Sequence, residues 1–341
     1  MSVFVSPGLL FKRLFKELLN QDLETPFERM SYTEAMENYG SDKPDIRFDM
    51  KIQNISEVVK DTEFVVFANA IKDGGSVRAI VAKNGASVYT RKEIDKLTEY
   101  VKGIGAKGLA YVRWVDDEPA CSFKKFMKEG ELENILSNLG AEKGDVVFIV
   151  ADKKKIVQAS LGALRLKLAK DFNLIDESKY NFLWVTNFPM FEYSEEEERF
   201  VAAHHPFTAP NKEDLDKLLT DKANCYSRAY DLVLNGYELL SGSVRIHDNE
   251  TQSKVFEAIG LSLEEAKEKF GFFLEAFKYG APPHCGVGVG LERLVMILVG
   301  TDNIRDVVAF PKTASATCLM SEAPNLVDEK QLKELKINIE K

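Results

Sequence analysis

Apolar residues in 8–19 recur at helical spacing, with Leu10, Leu14 and Leu18 in one row, Phe11, Phe15 and Leu19 in another, and Lys12, Arg13 and Lys16 between them. The pattern predicts an amphipathic helix docked on a core. Gly40-Ser41-Asp42-Lys43-Pro44-Asp45 then gathers turn formers, and Pro44 biases Lys43 away from helix, so a loop or domain crossing belongs here. From 52 to 175 short apolar runs alternate with helical stretches. They predict a self-contained α+β module with strands at Phe64–Ala70, Val77–Ala82, Leu109–Val115 and Val146–Ala151. Thr90 and Glu93 have capping-box spacing and open a helix running to about Lys102, where Gly103 can end it. After 176 the runs lengthen, beginning with Phe182–Phe188 and resuming beyond the acidic loop Glu195–Glu198. Asn235-Gly236 lies between Tyr230–Leu234 and Tyr237–Leu240, the signature of a type I′ hairpin, whose two central residues both need positive φ. The whole reads as an α+β chain: 1–51 and 176–341 form an antiparallel sheet domain flanked by helices, and 52–175 is inserted into it.

Composition narrows the class. The 341 residues suffice for roughly two domains at about 150 residues each. The net charge of −9 gives no bulk attraction for nucleic acid, so a polyanion would need a local basic patch. Asp152-Lys153-Lys154-Lys155 is a candidate for such a patch, but three lysines leading into a helix read better as a solvated face. Cys121, Cys225, Cys285 and Cys318 are too far apart for a metal knuckle or a dense disulfide framework. The longest apolar runs, such as Val146–Ala151 and Leu294–Val299, span six residues against the roughly 20 of a membrane-spanning helix. With no basic region at the N-terminus, a cytoplasmic location is expected.

Candidate chemistry concentrates after residue 200. A two-residue hairpin loop pairs Leu234 with Tyr237, Val233 with Glu238, Leu232 with Leu239 and Asp231 with Leu240. Asp231 and Glu238 then share a face as diagonal neighbours within about 8 Å. Two such carboxylates suit a hard divalent cation, since Mg²⁺ takes one or two carboxylates plus substrate phosphates; a solvated polar face is the other reading. Arg245 and His247 share a face of the next extended stretch, and a guanidinium there offers a planar fork for carboxylate or phosphate. Strict alternation turns Glu238 and Arg245 to opposite sides, so a shared pocket requires a bulge, for which Ser241-Gly242-Ser243 is the expected place. In His204-His205-Pro206-Phe207-Thr208 the adjacent histidines should point to opposite faces, leaving one to line a pocket, and the spacing lacks zinc partners. Gly286-Val287-Gly288-Val289-Gly290 alternates glycine with valine, which clears one face for a flat ligand, and Leu291-Glu292-Arg293 then opens a helix whose first turn suits a phosphate. Neither a dinucleotide fingerprint in its strand context nor a phosphate-binding G-x-x-x-x-G-K-[ST] occurs.

Tyr39–Asp45, His204–Thr208, Asn235-Gly236-Tyr237-Glu238 with Ser243–His247, and Gly286–Arg293 occur in this order, and together they resemble bacterial-type aspartyl-tRNA synthetase over essentially the whole chain. The resemblance implies a class II synthetase fold, with 52–175 similar to the insertion domain shared with the B subunit of the glutamyl-tRNA amidotransferase. It implies ATP-dependent activation of aspartate to aspartyl-adenylate and transfer to tRNA. Arg245 would grip the aspartate side chain and His204 would close over the amino acid. Asp231 and Glu238 would hold Mg²⁺ on ATP, with Glu238, Gly290, Leu291, Glu292 and Arg293 binding the nucleotide and Arg293 acting as the catalytic residue on the γ-phosphate. ATP, L-aspartate and the tRNA acceptor end are the implied partners, with a homodimer in the full-length family. The family's anticodon-binding barrel and first two class II motifs, including an F-R-D-E segment, are not found in these 341 residues. The chain therefore resembles a C-terminal part, expected to be weak or inactive alone. A non-catalytic synthetase-like binding protein, or a module facing RNA or an amidotransferase, is the alternative.

Overall fold

The apolar stripe near the start of the chain forms α1 (Val5–Leu19), closed by Asn20 in the left-handed conformation, in a computed structural model that describes residues 4–115 and 118–339. Of its two rows only the aromatic one is covered: Phe11 and Phe15 are buried, whereas Leu10 and Leu18 are exposed. Both rings pack against Phe182, and Phe27 stacks on Phe182 at 4.4 Å. Contacts divide the chain into two compact units, Met1–Val289 and Gly290–Lys341.

The first unit contains a five-stranded sheet made, in spatial order, of β1 (Glu28–Ser31), β7 (Phe182–Thr186), β10 (Ala229–Leu234), β11 (Tyr237–Val244) and β12 (Cys285–Val289). The pair β1/β7 is parallel and the others are antiparallel. One face carries Phe182, Trp184 and Tyr230 under α1 and Phe4. At the β7 end of the opposite face, Leu183, Val185 and Val233 join Ala35 of α2 (Tyr32–Tyr39) in a second apolar cluster. The rest of that face is polar and is considered below. A ribbon of β8 (Phe191–Ser194) and β9 (Arg199–Ala202) precedes β10, and α7 (Asn249–Ala258) and α8 (Leu263–Phe277) precede β12.

Residues 53–171 build a sheet of their own, with β2 (Gln53–Asn54), β3 (Ser76–Ala82), β6 (Val146–Asp152), β4 (Ala110–Val115) and β5 (Glu118–Cys121) in that order. Helices cover both of its faces. Ile80, Phe148 and Val150 pack with α4 (Arg91–Ile104) and α6 (Lys154–Asp171), while Val77, Ala79, Val147 and Ile149 pack with α3 (Val65–Lys72) and α5 (Glu131–Asn138). Double coverage explains why β3 and β6 read as unbroken apolar runs.

The expected strand Phe64–Ala70 is instead α3. A short apolar run is ambiguous between strand and helix, and here only Phe67 turns fully into the core, leaving Val65 and Val66 exposed. Thr90 caps α4 by accepting from the Glu93 N–H, one half of the expected capping box, but the helix passes Gly103 and stops at Gly105, where φ is 122°.

The seam between this module and the first sheet is closely tied. Gly40, at φ +67°, lies so close to α6 that a Cβ would stand 2.2 Å from the Gln158 carbonyl oxygen. The buried Arg165 guanidinium donates to the carbonyls of Phe48 at 2.8 Å, Met50 at 3.0 Å and Asp49 at 3.3 Å. Glu37 accepts ion pairs from Arg78 at 2.6 Å and Lys154 at 2.7 Å. Lys153 pairs with Glu195, so two of the three lysines of the run have acidic partners.

The second unit holds α9 (Leu291–Val299) and α10 (Glu329–Leu335). Among the described residues no helix is long and apolar enough to cross a membrane.

Gly242 is the tightest point beside β12: a Cβ there would meet the Gly286 carbonyl oxygen at 2.1 Å and Tyr230 at 2.7 Å, whereas at Gly288 the nearest atom is 4.0 Å away. Gly242→Ala is expected to cost about 1–3 kcal/mol in urea denaturation, and Gly288→Ala to leave the midpoint nearly unchanged. Equal effects at the two positions would contradict this packing.

Candidate functional site

The hairpin between β10 and β11 turns at Asn235 (φ 53°) and Gly236 (φ 87°), the positive-φ pair that a type I′ turn requires. Its first two pairs, Leu234/Tyr237 and Val233/Glu238, are the expected ones. The register then shifts to Leu232/Leu240 and Asp231/Ser241. The extra residue is Leu239, so the bulge lies earlier than the expected Ser241–Ser243 stretch. Leu239 and Leu240 are both buried, which two consecutive residues of a regular strand with one wet face would not be. Ser241–Ser243 stays regular and pairs with Gly286–Gly288 of β12.

The displaced bulge brings Arg245 to the face that carries Asp231, whereas Glu238, expected in the same pocket, is not among the residues that line the cavity. Asp231, Ser241, Ser243 and Arg245 come to one side and line a cavity of about 410 Å³ with His204, His205, Gly286 and Gly288. The two glycines leave the wall open, since a Cβ at Gly286 would meet nothing within 4 Å.

Both histidines line this cavity, contrary to the expectation of one. The chain bends at Ala203-His204, so side-chain alternation does not hold there. His204 packs edge-on against Phe188 at 5.2 Å. His205 faces Arg245, whose Nη1 is 3.0 Å from Nδ1 and also contacts Nε2. Next to a guanidinium the imidazole stays neutral: burial first, then Arg245 and His204, push its pKa down to about 4. No carboxylate among the described residues lies within ion-pair distance of Arg245.

The opposite electrostatics hold around Asp231. The residue is 8% exposed, and burial together with Glu238 and Asp42 raises its pKa to about 7, with Lys43 opposing them. Glu238 is half-buried and acts on both Asp231 and His204. Asp45 is held away from the cavity by a bidentate pair with Arg47, 3.0 Å from Nε and 2.7 Å from Nη2. Excess negative potential on hard oxygen donors fits Mg²⁺, which needs only one or two carboxylates when phosphates supply other ligands. Among the described residues no group of three or more His, Cys, Asp or Glu could hold a metal.

Gly290, Leu291, Glu292 and Arg293 belong to the second unit. Gly290 starts α9 and Arg293 lies in its first turn, the local structure read from the sequence.

Residues 8–314 match the family model of the tRNA synthetases class II (D, K and N). The chain belongs to this family. It is 55% identical over 335 residues to an aspartate–tRNA ligase from Macrococcus caseolyticus, covering 98% of this chain and 56% of that protein. It is 54% identical over 331 residues to an aspartate–tRNA(Asp/Asn) ligase from Caldanaerobacter subterraneus, covering 97% and 56%. A Clostridium botulinum aspartate–tRNA ligase matches at 55% over 331 residues, covering 97% and 55%. The chain thus spans about half the length of the curated relatives it matches.

Against this synthetase background, sequence reasoning left His205, Ser243 and Asp42 without roles. His205 was legible only as one of two equivalent histidines, and the contact that distinguishes it, to Arg245 forty residues later, is long-range.

His205 also yields a pH test. Its folded pKa of about 4 lies below the ordinary 6.5, so the unfolded chain binds this proton more readily. The stability associated with the neutral ring is complete above about pH 6.5 and lost as pH falls through about 4. His205→Gln removes that loss: in urea denaturation its stability relative to wild type should rise between about pH 7 and about pH 4.5. A constant difference across that window would contradict the neutral, guanidinium-facing imidazole.

Proposed function

We propose that this synthetase chain carries the amino-acid and nucleotide site of an aspartate–tRNA ligase, which activates aspartate with ATP and transfers it to tRNA. The observation that carries this reading is the Arg245 guanidinium in a concave polar wall, faced by a neutral imidazole and lacking an acidic partner among the described residues. A cation in that setting attracts an anion of matching shape, and a carboxylate takes its planar fork bidentately. Arg245 binds the aspartate side chain, His205 holds the guanidinium in place, and His204 closes over the amino acid.

Asp231 and Glu238 would hold Mg²⁺ on ATP, and the ion would supply positive charge against the phosphates. Gly290, Leu291, Glu292 and Arg293 bind ATP, with Arg293 the catalytic residue on the γ-phosphate. The aspartate α-carboxylate oxygen attacks the α-phosphorus in line, forming the mixed anhydride as the bond to the departing pyrophosphate breaks. Positioning and cationic stabilisation supply the acceleration, without a general base. A hydroxyl of the tRNA acceptor end then attacks the aspartyl carbonyl; the ester forms as the bond to the adenylate phosphate breaks, and AMP leaves with the hydroxyl proton passing to its phosphate. A homodimer, a cytoplasmic location and the assignment of 52–175 as an inserted domain like that of the amidotransferase B subunit belong to the same proposal.

The test is aspartate-dependent ATP–pyrophosphate exchange by the chain alone and with a separately made segment matching the remainder of its relatives. Little exchange is expected alone, and a rise on mixing. Arg245→Leu should lower the reconstituted rate by about 10²–10³. Exchange that persists in Arg245→Leu, or depends on another amino acid, would overturn the assignment; ligand binding without exchange under either condition would favour a non-catalytic binding protein. Gly288→Ala, which has room to fold, should weaken ATP binding by about tenfold through the methyl it adds to the wall.

A further inference from the structure

Ser243 is 4% exposed, yet its Oγ has no hydrogen-bond partner among the described residues. A buried hydroxyl left unmet costs stability and calls for an explanation. Its neighbours across the sheet are Ala229 and Gly286, neither of which has a polar side chain. Ser243 lines the cavity together with Arg245, two positions along the same face.

Resting on the aspartate assignment above, we propose that Ser243 is a substrate-binding residue whose Oγ–H donates to the carboxylate gripped by Arg245. The guanidinium supplies charge and the planar fork. The hydroxyl, on a shorter side chain rooted in the sheet, adds a donor from the cavity floor and fixes how deeply the carboxylate seats. The small residues on either side keep that approach clear. In the free protein the hydroxyl is a stability cost, and bound substrate removes it.

Calorimetric titration of the 341-residue chain with L-aspartate, paired with ligand-free thermal melting, tests this in wild type, Ser243→Ala, Ser243→Cys and Arg245→Leu. Ser243→Ala is expected to bind aspartate about tenfold more weakly, as for loss of a hydrogen bond to a charged group. Its ligand-free melting temperature should stay level or rise, because an unmet buried hydroxyl has been removed. Ser243→Cys, with a weaker donor, should fall between. A lower ligand-free melting temperature in Ser243→Ala would reveal a structural partner and overturn the proposal. Binding lost in Arg245→Leu but intact in Ser243→Ala would overturn it while leaving the aspartate assignment standing. Wild type that binds no aspartate, alone or mixed with the separately made segment, would overturn both.

Discussion

The site depends on one extra residue in one strand. Side chains alternate along β11 with a period of two, so a single inserted position decides which face every later residue occupies. Because Leu239 is inserted, Ser241, Ser243 and Arg245 reach the face that carries Asp231. In a regular strand they would lie under α1 among Trp184, Tyr230 and Phe182, where a guanidinium without a counter-charge would cost several kcal/mol. The bulge and the aromatic layer thus enforce each other: the layer accepts only apolar side chains, and the bulge ensures that it receives them.

The loop from Gly40 to Asp45 links this sheet to the module at 53–171. Gly40 abuts α6 of the module, Asp45 is locked by Arg47, and Asp42 and Lys43 act on Asp231. A segment of six residues therefore meets the module seam and acts on Asp231 in the cavity. The seam is built from close backbone approach and from Arg165 on three carbonyls, interactions that tolerate little displacement. The charge that Asp42 exerts on Asp231 therefore comes from a loop that the module also holds.

Features governed by local chemistry were legible in the sequence. The hairpin turn, the Thr90 cap and the open glycine wall follow from φ requirements, capping and the absence of a Cβ, each encoded within a few residues. Features decided by distant packing were not. The bulge falls at Leu239 because two consecutive leucines are both buried; Phe64–Ala70 is helical with Phe67 fully buried and Phe64 and Ala70 packed on the same core; and the partnership of His205 with Arg245 joins segments forty residues apart. Arg245 and Asp231 were identified from residue type and spacing, but bringing them together required the bulge, whose need was readable and whose place was not.

The most direct measurement of the central claim is a crystal structure of the chain soaked with L-aspartate. The aspartate side-chain carboxylate is expected within hydrogen-bond distance of the Arg245 guanidinium, on the face of β11 shared with Asp231, with Leu239 bulged. Aspartate bound elsewhere, or a regular β11 with Arg245 turned toward α1, would contradict it.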